Sequence, residues 1–230
     1  MKKLVVLFLF VALFSVAVWF VACRGQRAAA PTPTAAGVAS ALPPLGPACG
    51  GHCGTERWLV KTLSDPDRDC VSLKPVDATI EELTALPQPA RRPSRGRVRP
   101  VECTVYRVTA HLAGWDSLMR GEKDHDVHLV IFGLGDQRAH MIAEIPDPSC
   151  SGACQSGLGG QFAATRAALL REVQDPGSPI GRNPDSALVV VTGVGFFDFL
   201  HHQTGVAPNG IELHPVLSIE YLPLVSRATP

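Results

Sequence analysis

The chain has 230 residues, with 21 Lys/Arg balanced by 21 Asp/Glu and 6% aromatic residues. The lack of net positive charge and of stacking side chains argues against nucleic-acid binding as the main task. Some 180 residues follow the low-complexity N-terminal part, enough for one domain with a sizeable core.

Lys2 and Lys3 precede an apolar run from Leu4 to Ala22, broken only by Ser15 and ending at Cys23-Arg24. A basic start, an apolar core and a small residue before the break are the parts of an export signal. Phe20-Val-Ala-Cys23 resembles the lipobox of bacterial lipoproteins, although Phe20 stands where that family carries an aliphatic residue. The resemblance implies lipidation of Cys23 and a protein anchored in the cell envelope. Two rivals remain open: an uncleaved membrane anchor, since about twenty apolar residues span a bilayer, and a free secreted form. All three place the remainder outside the cytoplasm.

Residues 24–48 are mostly Ala, Pro, Thr and Gly and form a tether that cannot bury a core. Residues 49–100 form a cysteine-containing extension. Apart from Cys23 there are six cysteines, Cys49, Cys53, Cys70, Cys103, Cys150 and Cys154, an even number suited to an oxidising compartment. Cys49-Gly-Gly-His-Cys53 and Cys150-Ser-Gly-Ala-Cys154 are flexible enough for each to close on itself, leaving Cys70 to pair with Cys103, one of fifteen connectivities. The alternative is zinc on Cys49, His52 and Cys53.

Residues 58–63 read as a short strand, and Thr79-Ile-Glu-Glu82 as a capping box opening a short helix with Ile80, Leu83 and Leu86 inward. Arg91, Arg92, Arg95, Arg97 and Arg99 lie among four prolines, in a body that is otherwise acidic, with 17 Lys/Arg against 21 Asp/Glu from Cys49 onward. This loop has the chemistry to touch phospholipid headgroups or polyanions, and the composition of a solvated connector. It contains no aromatic residue.

Strands are expected at 104–113, 126–134 and 139–145. A helix follows at 161–173, with Phe162, Leu169, Leu170 and Val173 inward, and then strands at 187–197 and 211–222, the last after the turn pair Asn209-Gly210. This β-β-β-α-β-β order over 101–222 is that of an OB-fold, a mainly β five-stranded barrel; 223–230 is a tail. Trp58-Leu-Val-Lys61 and Asn209-Gly-Ile-Glu-Leu-His-Pro215 resemble phrases of exported bacterial proteins, a resemblance that implies no activity.

Strand alternation puts Asp126 with His128 on one face, Glu212 with His214 on another, and His140 with Glu144 on a third. In an OB-type barrel the third strand lies beside the second and the fifth, so these faces converge. Asp126, His128 and His214 are then candidate ligands for a divalent metal such as Zn or Mn, with Glu212 as general base. The same residues are also ordinary at strand rims, and no cofactor is required. His201 and His202 follow the fourth strand. Asp65-Pro-Asp-Arg-Asp69 lacks the glycine and glutamate of a calcium loop, and Gly157-Leu-Gly-Gly160 lacks dinucleotide or P-loop spacing. Two functions follow: a non-enzymatic module for an unknown protein or small ligand, or a metal-dependent hydrolase. Nucleic acid is disfavoured as a partner.

Overall fold

The computed structural model describes residues 41–112, 124–174, 187–200 and 203–222. The export segment with Cys23, most of the tether, His201, His202 and the tail lie outside them. Gly37–Pro230 forms one compact unit.

In chain order the elements are α1 (Trp58–Lys61), β1 (Ser72–Asp77), α2 (Ile80–Thr84), β2 (Thr104–Leu112), β3 (Val127–Phe132), β4 (His140–Ile145), α3 (Gly159–Gln174), β5 (Leu188–Phe197) and β6 (Ile211–Leu222). β2 to β6 close a five-stranded mixed barrel in the order β2-β3-β4-β6-β5, sealed by β2 against β5; β1 is one extra strand. β5 runs along one side of β2 from Val105↔Val194 to His111↔Leu188. The other side of β2 is shared, with β1 pairing in parallel near Thr104 and β3 taking only His111 and Leu112. β4 lies antiparallel to β3 and parallel to β6, the arrangement that sets the later site.

Alternation fills the barrel with Val108, Ala110, Leu112, Leu129, Ile131, Met141, Ala143, Val189, Val191 and Leu213, all at or near zero exposure. Each Val, Leu, Ile or Met among them contributes about 1.5–3 kcal/mol on burial. α2 adds Ile80 and Leu83, and α3 adds Leu169 and Val173. Leu170, expected inward, is 42% exposed, because its neighbours Leu169 and Val173 already take the buried stripe. A second cluster, with Leu63, Val71, Val105, Phe162, Val194 and Leu217, joins the N-terminal extension to the outside of the barrel.

The capping box is present. Thr79 Oγ1 accepts from the Glu82 amide at 3.1 Å, and Glu82 Oε2 accepts from the Thr79 amide at 2.8 Å. Asn209 does more than turn the chain: its Nδ2 donates to the Leu83 and Leu86 carbonyls, both at 3.0 Å, tying the β5–β6 connection to the end of α2.

Two further expectations fail. Residues 58–61 are a helical turn, not a strand. Arg57 enters with φ 50°, Trp58 Nε1 donates to the Ser151 carbonyl at 2.7 Å, and Trp58, Val60 and Lys61 are buried together. Gly54 makes room for that indole, since a Cβ there would stand 2.2 Å from Trp58 Cε3. The cysteine loops do not close on themselves either. The bridges are Cys49–Cys154, Cys53–Cys150 and Cys70–Cys103, so only the third matches expectation. Tertiary packing lays the two C-x-x-x-C loops against each other, and the Ser151 amide donates to the Gly51 carbonyl between them at 2.7 Å. With both thiols bridged, zinc on Cys49, His52 and Cys53 is ruled out for this oxidised fold. Three bridges are the chemistry of an oxidising, extracytoplasmic compartment. Among the described residues no helix is long and apolar enough to cross a membrane.

Candidate functional site: a sealed histidine–carboxylate face

The outward side chains His128, Val130, Ile142, Glu144, Glu212 and His214 of β3, β4 and β6 are buried. α1 covers them from one side, and the connection from β5 to β6 covers them from the other. Gly205, at φ +89°, presses against Val130, where a Cβ would come within 2.5 Å of Cγ2. In OB-type barrels the second and third strands form the usual ligand face. Here that face is occupied by the chain's own segments.

His214 lies at the centre with no exposure. Its Nε2 is 3.1 Å from Asp126 Oδ2, and its Nδ1 is 3.1 Å from Glu212 Oε1 and 2.9 Å from Glu144 Oε2. Both ring nitrogens therefore face carboxylate oxygens, the setting of an imidazolium that donates on both sides. Burial opposes that charge, but the bonds to Asp126, Glu144 and Glu212 raise its pKa well above the ordinary value. Asp126 is fixed on its other oxygen by the Asp147 amide at 3.0 Å. Glu144 bridges the two histidines, its Oε1 lying 2.9 Å from His128 Nδ1. His128 Nε2 donates to the Thr204 carbonyl at 3.0 Å, so that nitrogen offers no lone pair to a metal.

α1 contributes Lys61, whose Nζ donates to Asp198 Oδ2 at 2.9 Å. Burial would pull this lysine down, and the Glu212, Glu144 and Asp198 carboxylates more than reverse it, holding the ammonium above its ordinary range. Burial would push Glu144 up, but the His128 and His214 bonds and the Lys61 charge bring it well below the usual carboxylate range. Asp126 is raised by burial, against the pull of His214. Glu212 is raised to about 7 by burial and then by the Asp198 and Glu144 charges, against the pull of His214 and Lys61. Phe196 completes the wall: its ring is 5.8 Å from the His214 ring, with Arg57 Cζ 4.6 Å and Lys61 Nζ 5.5 Å from its centroid. Arg57 is itself committed to Glu102, whose Oε1 and Oε2 accept from it at 2.7 and 2.6 Å.

The structure thus brings Asp126, His128, Glu144, Glu212 and His214 together. It leaves His140 at the far end of β4, its Nδ1 2.8 Å from the Arg138 carbonyl. Ligand atoms of Asp126, Glu144 and His214 lie within 4.8 Å of one another, a set able to hold a cation. Sequence reasoning missed Lys61 and Asp198. A strand reading of 58–63 could not assign Lys61 an inward face, although Asp198 directly after an apolar strand was a usable signal. Asp65 is engaged as well, accepting from Arg97 Nε at 3.1 Å.

The cavity against Glu212 and Asp198 has a volume of only about 10 Å³. Larger openings lie elsewhere. A cleft of about 480 Å³ runs between α1 and the arginine loop, bordered by His52, Trp58, Leu59, Asp67 and Arg95, and one of about 610 Å³ lies by Asp77, Arg107 and Leu134. The chain matches no protein-family model, no curated protein and no solved structure.

Proposed function

We propose that the chain is an exported, membrane-tethered module of the bacterial cell envelope that binds a partner or small ligand without catalysing a reaction. The observation that carries this is the sealing of the ionisable face. A cavity of about 10 Å³ beside Glu212 has room for about one water, whereas ligand sites need roughly 300–1,000 Å³. The openings that reach that size, of about 360, 480 and 610 Å³, are lined by other residues than the charged face. Export and anchoring rest on the N-terminal segment, with Cys23 as the lipidated residue and 24–48 as tether; the three bridges agree with that compartment. Cys23→Ser should abolish acyl labelling and release the protein, and unchanged labelling removes the lipoprotein part of the reading.

One observation favours a second reading, a metal-dependent hydrolase: the convergence of Asp126, Glu144 and His214. Glu212 would be its general base, and a metal there would take Glu144 in place of His128. Elemental analysis by mass spectrometry separates the two. The Gly37–Pro230 unit, exported so that its bridges form, is loaded with zinc or manganese and dialysed, beside His214→Gln. Substoichiometric metal in both supports the binding module. Stoichiometric metal lost in the variant overturns it in favour of the hydrolase.

A further inference from the structure

Arg92, in the proline-broken loop, reaches the β5–β6 connection. Its Nη2 donates to the Asn209 carbonyl at 3.3 Å, and its guanidinium carbon lies 5.9 Å from the Phe199 ring centroid. Phe199 and the adjoining Leu200 are 38% and 52% exposed, unusual for an aromatic and an aliphatic side by side. Arg57 ties the same two segments again, donating to the carbonyls of Phe197 and Gly96 at 2.9 Å each. Arg91 and Arg95 are exposed on that loop, and Arg95 shares the 480 Å³ cleft with Leu59, itself 48% exposed. On the cleft Arg95 is matched by one exposed acid, Asp67, and the excess of cations on this side comes from Arg91 and Arg92 in the same loop, although the body as a whole is acidic.

We infer that this patch is a docking surface for an anionic phospholipid bilayer. Phe199 and Leu200 enter the headgroup boundary, while Arg91, Arg92 and Arg95 pair with lipid phosphates around them. The inference rests on the tethered reading above and deepens it by naming the surface that faces the membrane. Two further observations point to a bilayer as the occupant. First, the described chain begins beside this patch: Leu42 to Leu45 border Asp65 and Pro66, and those two residues also border the arginine cleft. Second, only eighteen residues, 24 to 41, separate Cys23 from the rest of the described chain, a contour of at most about 60 Å. A basic, partly apolar surface on the tether side then meets anionic headgroups at high effective concentration.

The Gly37–Pro230 unit serves for the test, because it holds both hydrophobic clusters and all three bridges and lacks Cys23. It is floated with vesicles of phosphatidylcholine alone and of phosphatidylcholine with phosphatidylglycerol. Expected is binding to the anionic vesicles only, weakening as salt rises. Arg91→Glu with Arg95→Glu should lower the apparent affinity by at least about tenfold. Phe199→Ala with Leu200→Ala should lower it comparably while leaving the salt dependence in place. All four positions are solvent-facing, and unchanged circular dichroism verifies the fold of the variants. The inference is overturned by wild-type protein that stays unbound at low salt, or by binding that the arginine variant retains. It is equally overturned if heparin or a single-stranded oligonucleotide binds as well as the vesicles and is indifferent to the Phe199/Leu200 change, which marks a generic polyanion patch. Any of these outcomes leaves the Cys23 labelling result standing on its own.

Discussion

Glu212 gives the face a measurable pH signature. Its carboxyl is raised to about 7 inside the fold, chiefly by burial, then by Asp198 and Glu144, against the pull of the His214 bond. In the unfolded chain it returns to the ordinary glutamate range of about 4.3. A raised carboxyl means that the fold prefers the protonated form. The group's contribution is therefore full below the unfolded value and is lost as pH climbs through 7. At about 1.4 kcal/mol per unit, the difference between folded and unfolded states is roughly 4 kcal/mol, most of it lost between about pH 5 and 8. Glu144, held low by the two histidines, works in the opposite sense and gives up stability only as acid protonates it. The comparison of wild type with Glu212→Gln isolates one group. Gln keeps the shape and a carbonyl oxygen for His214 Nδ1 but cannot ionise. Urea unfolding with bridges intact, at pH 5, 6, 7 and 8, should show the variant gaining about 2–3 kcal/mol on wild type across that range. Parallel pH curves for the two proteins would refute the assignment of a buried, raised Glu212.

Other contacts make equally direct predictions. Glu102→Ala leaves the Arg57 guanidinium buried without its carboxylate and should cost about 3–5 kcal/mol in urea unfolding; a loss under about 1 kcal/mol, the scale of a surface pair, would contradict the structure. Trypsin without reductant should leave the Cys49/Cys53 peptide covalently joined to the Cys150/Cys154 peptide; two separate peptides with internal bridges would restore the local pairing. Replacing Cys70 and Cys103 together by Ala opens a separation of 33 residues and should destabilise by about 3–4 kcal/mol on the chain-entropy estimate. Gly205→Ala places a Cβ 2.5 Å from Val130 Cγ2 at a φ of +89°, and thermal melting should show a loss of about 2 kcal/mol; an unchanged melting temperature would mean that this segment does not lie on β3.

The barrel was legible in the sequence because its signals are local. Period-two alternation, the Asn209-Gly210 turn and the Thr79 capping box act over a few residues, so element order and the β6 boundaries could be read directly. Alternation also gave the shared face of Asp126 with His128 and of Glu212 with His214, since parity along a strand needs no partner. Tertiary structure alone decided what those faces became. It carried Lys61 and Asp198 to them, laid Thr204 over His128, and turned a row of candidate ligands into hydrogen-bonded partners out of reach of solvent. It also chose the cross-paired bridges over the local ones, because which cysteines meet depends on how distant loops pack and not on their spacing. The arginine loop shows the same division: composition gave its charge, but the exposed Phe199 beside it arrives from more than a hundred residues along the chain. Local preferences are written in neighbouring residues, whereas burial, charge environment and surface partners arise from segments that only the closed barrel brings together.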